Sequence, residues 1–370
     1  MAFLDVPLFG GVFLKRALPE VKEINPPTRS EYGYDGQVYA QIALSPSLRH
    51  PGLSQACDNF RYRARRIGLP VLAYIFGLGR PAWILQAYSV LNFFFWLAMM
   101  GAMARFVGFV GIRERLLVLS VLWTSGTLFS LQRALTDLPT MTLSFWGMIL
   151  ADTHVVAAGS LLAISALFKE TGILSFPALV CSERKNPSLR LVWMITLLVS
   201  PALFWWLYVY MNTSPVAEPS VLFKFPFLGW WEKLSGRLQT PSEFWVPITL
   251  GFQVVYMVIR ARFSSTWWRW GIGWVGLFTV MSGPLVEAQE GYTRVLLPLT
   301  VAFNVLVYRH EKRWAYVLWF LLGNFGTFSC AWSGASQWPV SMCVAGLLLL
   351  ELIVLVKNRA EGKQKVSGVN

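Results

Sequence analysis

The sequence predicts an all-α protein, a polytopic transmembrane helical bundle, and two observations support that prediction. Of its 370 residues, 55% are hydrophobic and only 14% are charged, with a mean hydropathy of +0.50. This composition is too apolar and too poor in charge for a soluble globular domain. From Trp83 onward, apolar runs of roughly 15 to 22 residues recur between short charged stretches, which matches the ~20 residues that cross a bilayer core.

The predicted bundle contains about eleven membrane segments. Their predicted bounds are 82–104, 113–132, 137–151, 153–168, 171–182, 188–210, 243–260, 266–283, 291–308, 313–332 and 338–357. Several are short for a full crossing, and we expect these to tilt or to insert partway. No internal repeat and no long linker divides them. The prediction is therefore one transmembrane domain at 82–357 and a cytoplasmic tail at 358–370.

Two segments precede that domain. Residues 1–14 are apolar but short, and they predict a partial or interfacial N-terminal helix. They lack the charged start and small-residue cleavage site of a signal peptide. Residues 15–81 are polar at first and end in an apolar stretch, 67–78, that is too short to span a bilayer. We predict a loop with short juxtamembrane helices across 15–81.

The basic loops orient the bundle. If every predicted span crosses, these residues share one side: Arg105, Arg113, Arg115, Arg184, Lys185, Arg190, Arg260, Arg262, Arg269, Arg309, Lys312, Arg313, Lys357, Arg359, Lys363 and Lys365. The positive-inside rule assigns that side to the cytoplasm and leaves 15–66 outside. Because the loops account for most of the net charge of +13, nucleic acid is not a predicted partner.

The outer loop contains the first candidate site residues. Asp35 lies between two glycines and beside Tyr34 and Tyr39, where a carboxylate can act as a general base toward a sugar hydroxyl. The alternative is a turn in which Asp35 only caps its own backbone. Arg63 and Arg66 belong to an arginine cluster on the side where excess positive charge is not expected, and phosphate is the expected partner.

Three later clusters fall on the same predicted side. Asp137 precedes Pro139 and is either a helix cap or a functional carboxylate. Lys169 and Glu170 are either a structural pair or a phosphate-binding lysine held by its neighbour. Arg294, near Tyr292, either extends to lipid headgroups or joins the site. The convergence of these clusters with Asp35 favours a functional site.

The sequence contains none of the motifs of the common nucleotide-binding and hydrolase families. The chain has no P-loop, no strand-associated GxGxxG, no GxSxG and no HExxH, which disfavours ATP-driven transport and the common hydrolase mechanisms. Its four cysteines form no CxxC pair, and its three histidines lie on different predicted faces.

Five stretches together resemble a known family. They are 34–40 (YDGQVYA), 58–66 (DNFRYRARR), 135–139 (LTDLP), 168–172 (FKETG) and 291–299 (GYTRVLLPL). They are similar to bacterial membrane glycosyltransferases of the GT-C fold, and more narrowly to proteins of cell-surface glycopolymer formation. The resemblance covers about residues 30 to 310 and implies a GT-C-like bundle.

The resemblance also implies a reaction and a location. The donor is a polyprenyl-phosphate-linked sugar, the acceptor is unknown, and the enzyme is a multi-pass protein of the bacterial inner (cytoplasmic) membrane with its active site facing the periplasm. Asp35 takes the catalytic role. The donor phosphate is expected at Arg63, Arg66, Lys169 and Arg294. The sugar is expected at Tyr34, Gln37, Tyr39, Asp137, Glu170 and Tyr292.

Cofactors and partners follow from the same resemblance. Some related enzymes use a divalent cation, Mg²⁺ or Mn²⁺, and Asp35 with Asp137 or Glu31 has suitable oxygen ligands; a metal-free site is the alternative. Membrane lipid and a membrane protein complex are further expected partners. Family members begin with a complete first transmembrane helix, from which the stretch 1–14 departs. Rival functions are a transporter or flippase for lipid-linked sugar and a non-catalytic scaffold subunit.

Overall fold

A computed structural model describes residues 4, 6–108, 111–179, 187–214, 222–236 and 240–333. Across these residues the chain is mostly helical, and one two-stranded parallel pair is the exception among them. The predicted helical fold class is confirmed at this level. The predicted span 338–357 and the predicted tail 358–370 lie outside the described residues.

The first part of the chain forms a layer of short elements. They are β1 (Phe9–Gly10), α1 (Gly11–Arg16), α2 (Pro19–Ile24), β2 (Thr28–Ser30), α3 (Asp35–Leu44), α4 (Leu53–Ala56), α5 (Phe60–Ala64) and α6 (Gly68–Phe76). The stretch 15–81, where we expected a loop with short helices, contains α2 to α6 and β2. Val21, Ile42 and Leu53 lie in an apolar cluster that packs on the N-terminal half of the following long helix.

In place of one helix over 1–14, the described part of this stretch contains β1, which lies beside β2, and a helix that begins only at Gly11. The backbone amide of Gly10 donates to Gln37 Oε1 at 2.9 Å, and the Tyr34 amide donates to Leu8 O at 3.0 Å. These backbone groups therefore bond to Tyr34 and Gln37 and not along a helix, which a hydropathy pattern cannot reveal.

The rest of the described chain is also helical, and most of its helices are longer. They are α7 (Pro81–Val107), α8 (Ile112–Leu122), α9 (Ser125–Gln132), α10 (Asp137–Leu150), α11 (Val155–Phe168), a 3₁₀ segment (Glu170–Leu179), α12 (Pro187–Asn212), α13 (Leu228–Ser235), α14 (Pro241–Ile259), α15 (Thr266–Val280), α16 (Pro284–Glu287), α17 (Gln289–Val295), α18 (Leu297–His310) and α19 (Arg313–Ser333). Trp270, Trp274, Phe145 and Phe303 are among the largest side chains of their common buried core.

Two of these helices are long and apolar enough to cross a membrane. Within the described residues they are α7, with 27 residues, and α14, with 19. The pair α17 and α18 passes the same test only if the two are taken as one span bent by 54°. This finding agrees with a membrane protein.

Several other predicted spans differ from the helices observed. The predicted span 113–132 is divided into α8 and α9, because the side chain of Thr124 accepts the Thr127 amide and starts a new helix. The described part of the predicted span 171–182 lies in the 3₁₀ segment Glu170–Leu179, which contains Pro177, a residue that cannot donate a helical hydrogen bond. The predicted span 291–308 is the bent pair α17 and α18.

Candidate functional site

Asp35 begins α3 and forms an ion pair with Arg63 of α5. Its Oδ1 lies 2.8 Å from Arg63 Nη2. The same guanidinium binds both oxygens of Asp58, with Nε at 3.0 Å from Oδ1 and Nη2 at 2.7 Å from Oδ2. Arg63 is therefore shared between two carboxylates, which fixes its planar fork.

A second ion group joins three distant parts of the chain. Lys169 Nζ donates to Asp137 Oδ1, and Arg294 Nη1 donates to Asp137 Oδ2 at 3.3 Å. The Asp137 side chain is only 4% exposed. A buried carboxylate of this kind is tolerated because both of its oxygens have a cationic partner.

Arg66 supplies the third ion group. Its Nε donates to Glu170 Oε2 at 2.8 Å and its Nη2 donates to Glu170 Oε1 at 2.5 Å. Its remaining nitrogen, Nη1, donates to the Tyr39 hydroxyl at 2.7 Å, and Nη2 also donates to the Tyr62 hydroxyl. Four of the five N–H donors of this buried guanidinium are therefore used.

Tyr34 lies between two guanidinium groups. Arg294 Nη2 donates to its hydroxyl at 3.1 Å, and the same arginine lies 5.3 Å from the ring centre. Arg133 lies over the ring at 5.7 Å. Burial raises the pKa of the Tyr34 phenol above its ordinary value, so this hydroxyl stays protonated at neutral pH.

We call these ionised residues the charged cluster. Its four carboxylates and four cations, counted among the described residues, are Asp35, Asp58, Asp137, Glu170, Arg63, Arg66, Lys169 and Arg294. Asp35, Asp137 and Glu170 each stand at the first position of a helical segment. The partial positive charge of a helix N-terminus favours a carboxylate there.

Close backbone approaches bring these elements together. A Cβ on Gly36 would collide with the carbonyl oxygen of Arg133, and one on Gly126 would collide with that of Thr293. Glycine therefore lets α3 reach the turn after α9, and lets α9 reach α17. Asn92 of α7 holds that turn by donating to the carbonyls of Ser130 and Leu135.

Asp35 is a carboxylate of the cluster that a hydroxyl group can reach. Its side chain is 31% exposed, whereas that of Asp137 is 4% exposed; Asp58 is 38% exposed, but both of its oxygens are bonded to Arg63. Burial by itself raises the pKa of Asp35, but the guanidinium groups of Arg63 and Arg294 outweigh burial and hold that pKa below its ordinary value. The carboxylate is therefore ionised at neutral pH and able to accept a proton.

Four of the predicted site residues are not members of the charged cluster: Tyr34 and Tyr39 accept hydrogen bonds from its arginines, whereas Gln37 and Tyr292 lie elsewhere. Gln37 Oε1 accepts the Gly10 amide, and Gln37 Nε2 donates to Tyr32 O at 2.8 Å, so this side chain fastens the N-terminal strand to the loop. Tyr292 is fully buried, with its ring 5.3 Å from that of Trp230. Gln37 and Tyr292 thus bond or pack away from the charged cluster, and the sugar contacts predicted for them stay predictions.

Three residues of the site were not predicted. Asp58 shares Arg63, Tyr62 accepts from Arg66, and Arg133 lies over Tyr34. For Asp58 and Tyr62 a signal existed, because both lie inside the arginine-rich stretch 58–66. For Arg133 the sequence indicates only proximity to Asp137, which instead binds Lys169 and Arg294.

The carboxylates do not form a metal-ligand set. In the part of the chain that the structure describes, no group of three or more His, Cys, Asp or Glu side chains is placed to hold a metal ion. Both oxygens of Asp137 are bonded to cations, so this carboxylate has no oxygen left for Mg²⁺ or Mn²⁺, whereas Asp35 pairs with Arg63 through Oδ1. Asp137 therefore does not fit as a ligand of a divalent cation in this arrangement, and a metal at Asp35 stays a prediction.

Comparison with known proteins leaves the site's geometry as the basis for assigning a function. No family model, no curated protein and no solved structure matches the chain.

Proposed function

We propose that the chain is a polytopic glycosyltransferase with a GT-C-like fold that moves a sugar from a polyprenyl-phosphate donor to a periplasmic acceptor with inversion. The observation that carries this proposal is the convergence of Asp35, Arg63, Asp137, Lys169 and Arg294 from five separate segments. The sequence stretches that resemble GT-C enzymes are the ones that contribute these residues.

The proposed reaction is a single displacement. The acceptor hydroxyl oxygen attacks the anomeric carbon, its proton passes to Asp35, and the bond from that carbon to the phosphate oxygen breaks. The departing phosphate gains negative charge. Arg63 and Arg294 balance that charge, because their guanidinium groups lie close enough to Asp35 to lower its pKa and are therefore beside the reacting atoms. Asp137 holds Arg294 in place through one oxygen and pairs with Lys169 through the other.

The membrane setting belongs to the same proposal. About eleven spans, an inner-membrane location and a periplasmic active site place the lipid tail of the donor among apolar helices and its phosphate at the outer boundary. The helices α7 and α14, which are long and apolar enough to cross, support a membrane enzyme. Cell-surface glycopolymer formation is the proposed process.

A scaffold subunit is the second candidate, and one observation favours it. Arg63, Arg66, Lys169 and Arg294 each already have a carboxylate partner, so the charged cluster is internally compensated. A non-catalytic protein retains such a cluster to hold its fold. In the enzyme, the donor phosphate competes with the carboxylates for Arg63 and Arg294. In the scaffold, both arginines stay bound to their carboxylates.

Reconstituted vesicles test the proposal. The purified chain is placed in liposomes with a panel of radiolabelled polyprenyl-phosphate sugars and a membrane extract as the source of acceptor. Transfer of label from the lipid to the acceptor supports the enzyme. Movement of the donor between leaflets without transfer supports a transporter, and the absence of both supports the scaffold.

A further inference from the structure

A second pair of arginines lies on a different side of α5 from the charged cluster. Arg63 and Arg66 bind the carboxylates, whereas Arg61 and Arg65 line a cleft of about 400 Å³ between α5 and α12. The wall of the cleft that α12 forms consists of Leu203, Trp206, Leu207, Val209 and Tyr210.

Hydrogen bonds between α5 and α12 hold this cleft in shape. Trp205 Nε1 donates to Ala64 O at 2.8 Å. Arg61 Nε donates to Thr213 Oγ1 at 3.1 Å, and its Nη2 donates to the Thr213 carbonyl. The Arg61 guanidinium also lies 4.7 Å from the centre of the Tyr210 ring. Arg61 is thus fixed, while its Nη1 takes no part in these hydrogen bonds.

The cleft combines an apolar wall with a cationic end. Leu203, Leu207 and Tyr210 are all more than half exposed, and their spacing of four and three residues puts them on one stripe of α12. Arg65 is exposed and forms no ion pair or hydrogen bond with the described residues. A stripe of exposed apolar side chains that ends at two guanidinium groups has the two chemistries of a phospholipid.

We propose that this cleft binds an anionic phospholipid. The headgroup phosphate contacts Arg65 and Nη1 of Arg61, and an acyl chain follows Leu203 and Leu207. The sugar donor is a different molecule, because its phosphate must lie beside Asp35, which pairs with Arg63 and not with the cleft arginines. This lipid site therefore goes beyond the proposed function and does not depend on it.

Native mass spectrometry of the full chain tests the lipid site. The protein is released from nanodiscs that contain phosphatidylglycerol and phosphatidylcholine, and the lipids that remain bound are counted. Arg65→Glu is compared with Arg80→Glu, an exposed arginine at the start of α7 and outside the cleft. We expect Arg65→Glu to lower retained phosphatidylglycerol roughly fivefold relative to Arg80→Glu, as expected for a headgroup contact worth about 1 kcal/mol, with phosphatidylcholine unchanged.

A second variant fills the cleft without changing its charge. Leu207→Trp adds bulk at an exposed position, so the protein is expected to fold while losing bound phosphatidylglycerol. Three results would overturn the proposal: unchanged retention in both cleft variants, an equal loss in Arg80→Glu, or displacement of phosphatidylglycerol by an equimolar polyprenyl phosphate. The last result would assign the cleft to the donor.

Discussion

Arg294 Nη2 lies 3.1 Å from the Tyr34 hydroxyl, although the two residues are 260 positions apart in the chain. Arg294, on α17, also reaches Asp137, so one side chain connects Tyr34, just before α3, with α10. This contact makes the charged cluster a joint between the layer of short elements and the longer helices. Its loss is expected to affect both stability and the site.

Replacement of Arg294 tests this joint. Arg294→Gln leaves Asp137 and Tyr34 without their shared donor, and removal of one partner from a buried ion pair costs about 3 kcal/mol. Arg294→Lys keeps the charge but loses the fork, so we expect an intermediate value. The measurement is the free energy of unfolding in detergent. A wild-type free energy of unfolding for Arg294→Gln would contradict the role of Arg294 as the joint between the short elements and the longer helices.

The Asp137 group predicts an order of effects. Asp137→Asn leaves both Lys169 and Arg294 without a carboxylate, whereas Lys169→Met leaves Asp137 still paired with Arg294. We therefore expect the loss of unfolding free energy to be larger for Asp137→Asn, by about 1 kcal/mol or more. Thermal unfolding of the two variants, measured side by side, checks this order. The reverse order would show that Asp137 is not the centre of the group.

The Asp35 ion pair predicts a dependence of stability on pH. The pKa of Asp35 is lower in the folded protein than its ordinary value of 3.8, so its ionised form stabilises the fold. That contribution is complete above about pH 5 and is lost as the pH falls through the folded-state pKa. The stability difference between the wild type and Asp35→Asn should therefore shrink between pH 5 and pH 3. A difference that grows in acid would contradict the pairing with Arg63.

Gly36 predicts a steric effect at the site. A Cβ at this position would meet the carbonyl oxygen of Arg133, so Gly36→Ala should push α3 away and lower stability by about 2 kcal/mol. Gly101 in α7 has open space around the same position, and Gly101→Ala should raise stability by up to about 1 kcal/mol. Unfolding of both variants in detergent gives the comparison. Equal effects would mean that α3 does not depend on the close approach.

The sequence predicted those helices whose position depends on hydropathy alone. Hydropathy predicted 82–104 and 243–260, and the structure has α7 and α14 there. Hydropathy missed the break between α8 and α9, because that break depends on a hydrogen bond from the Thr127 amide to Thr124 and not on a charged or proline residue. Local capping competes with helix propagation on a scale that an average over many residues conceals.

The composition of the charged cluster was predicted better than its pairings. Asp35, Arg63, Arg66, Lys169 and Arg294 were expected together, and the structure brings them together. Of the arginine-rich run, the predicted site residues Arg63 and Arg66 lie in the cluster, whereas Arg61 and Arg65 line the α12 cleft. For Arg61 and Arg66 the bonded partners, Thr213 and Glu170, are more than one hundred residues away in the chain, where local sequence cannot indicate them.

Transfer by Asp35→Asn is the most direct measurement of the central claim. The variant is compared with the wild type and with Glu23→Gln, an exposed carboxylate change outside the charged cluster, under saturating donor lipid. Loss of the general base should lower transfer at least about 100-fold, while Glu23→Gln stays at the wild-type rate. Wild-type transfer by a folded Asp35→Asn protein would contradict the assignment of Asp35 as the base.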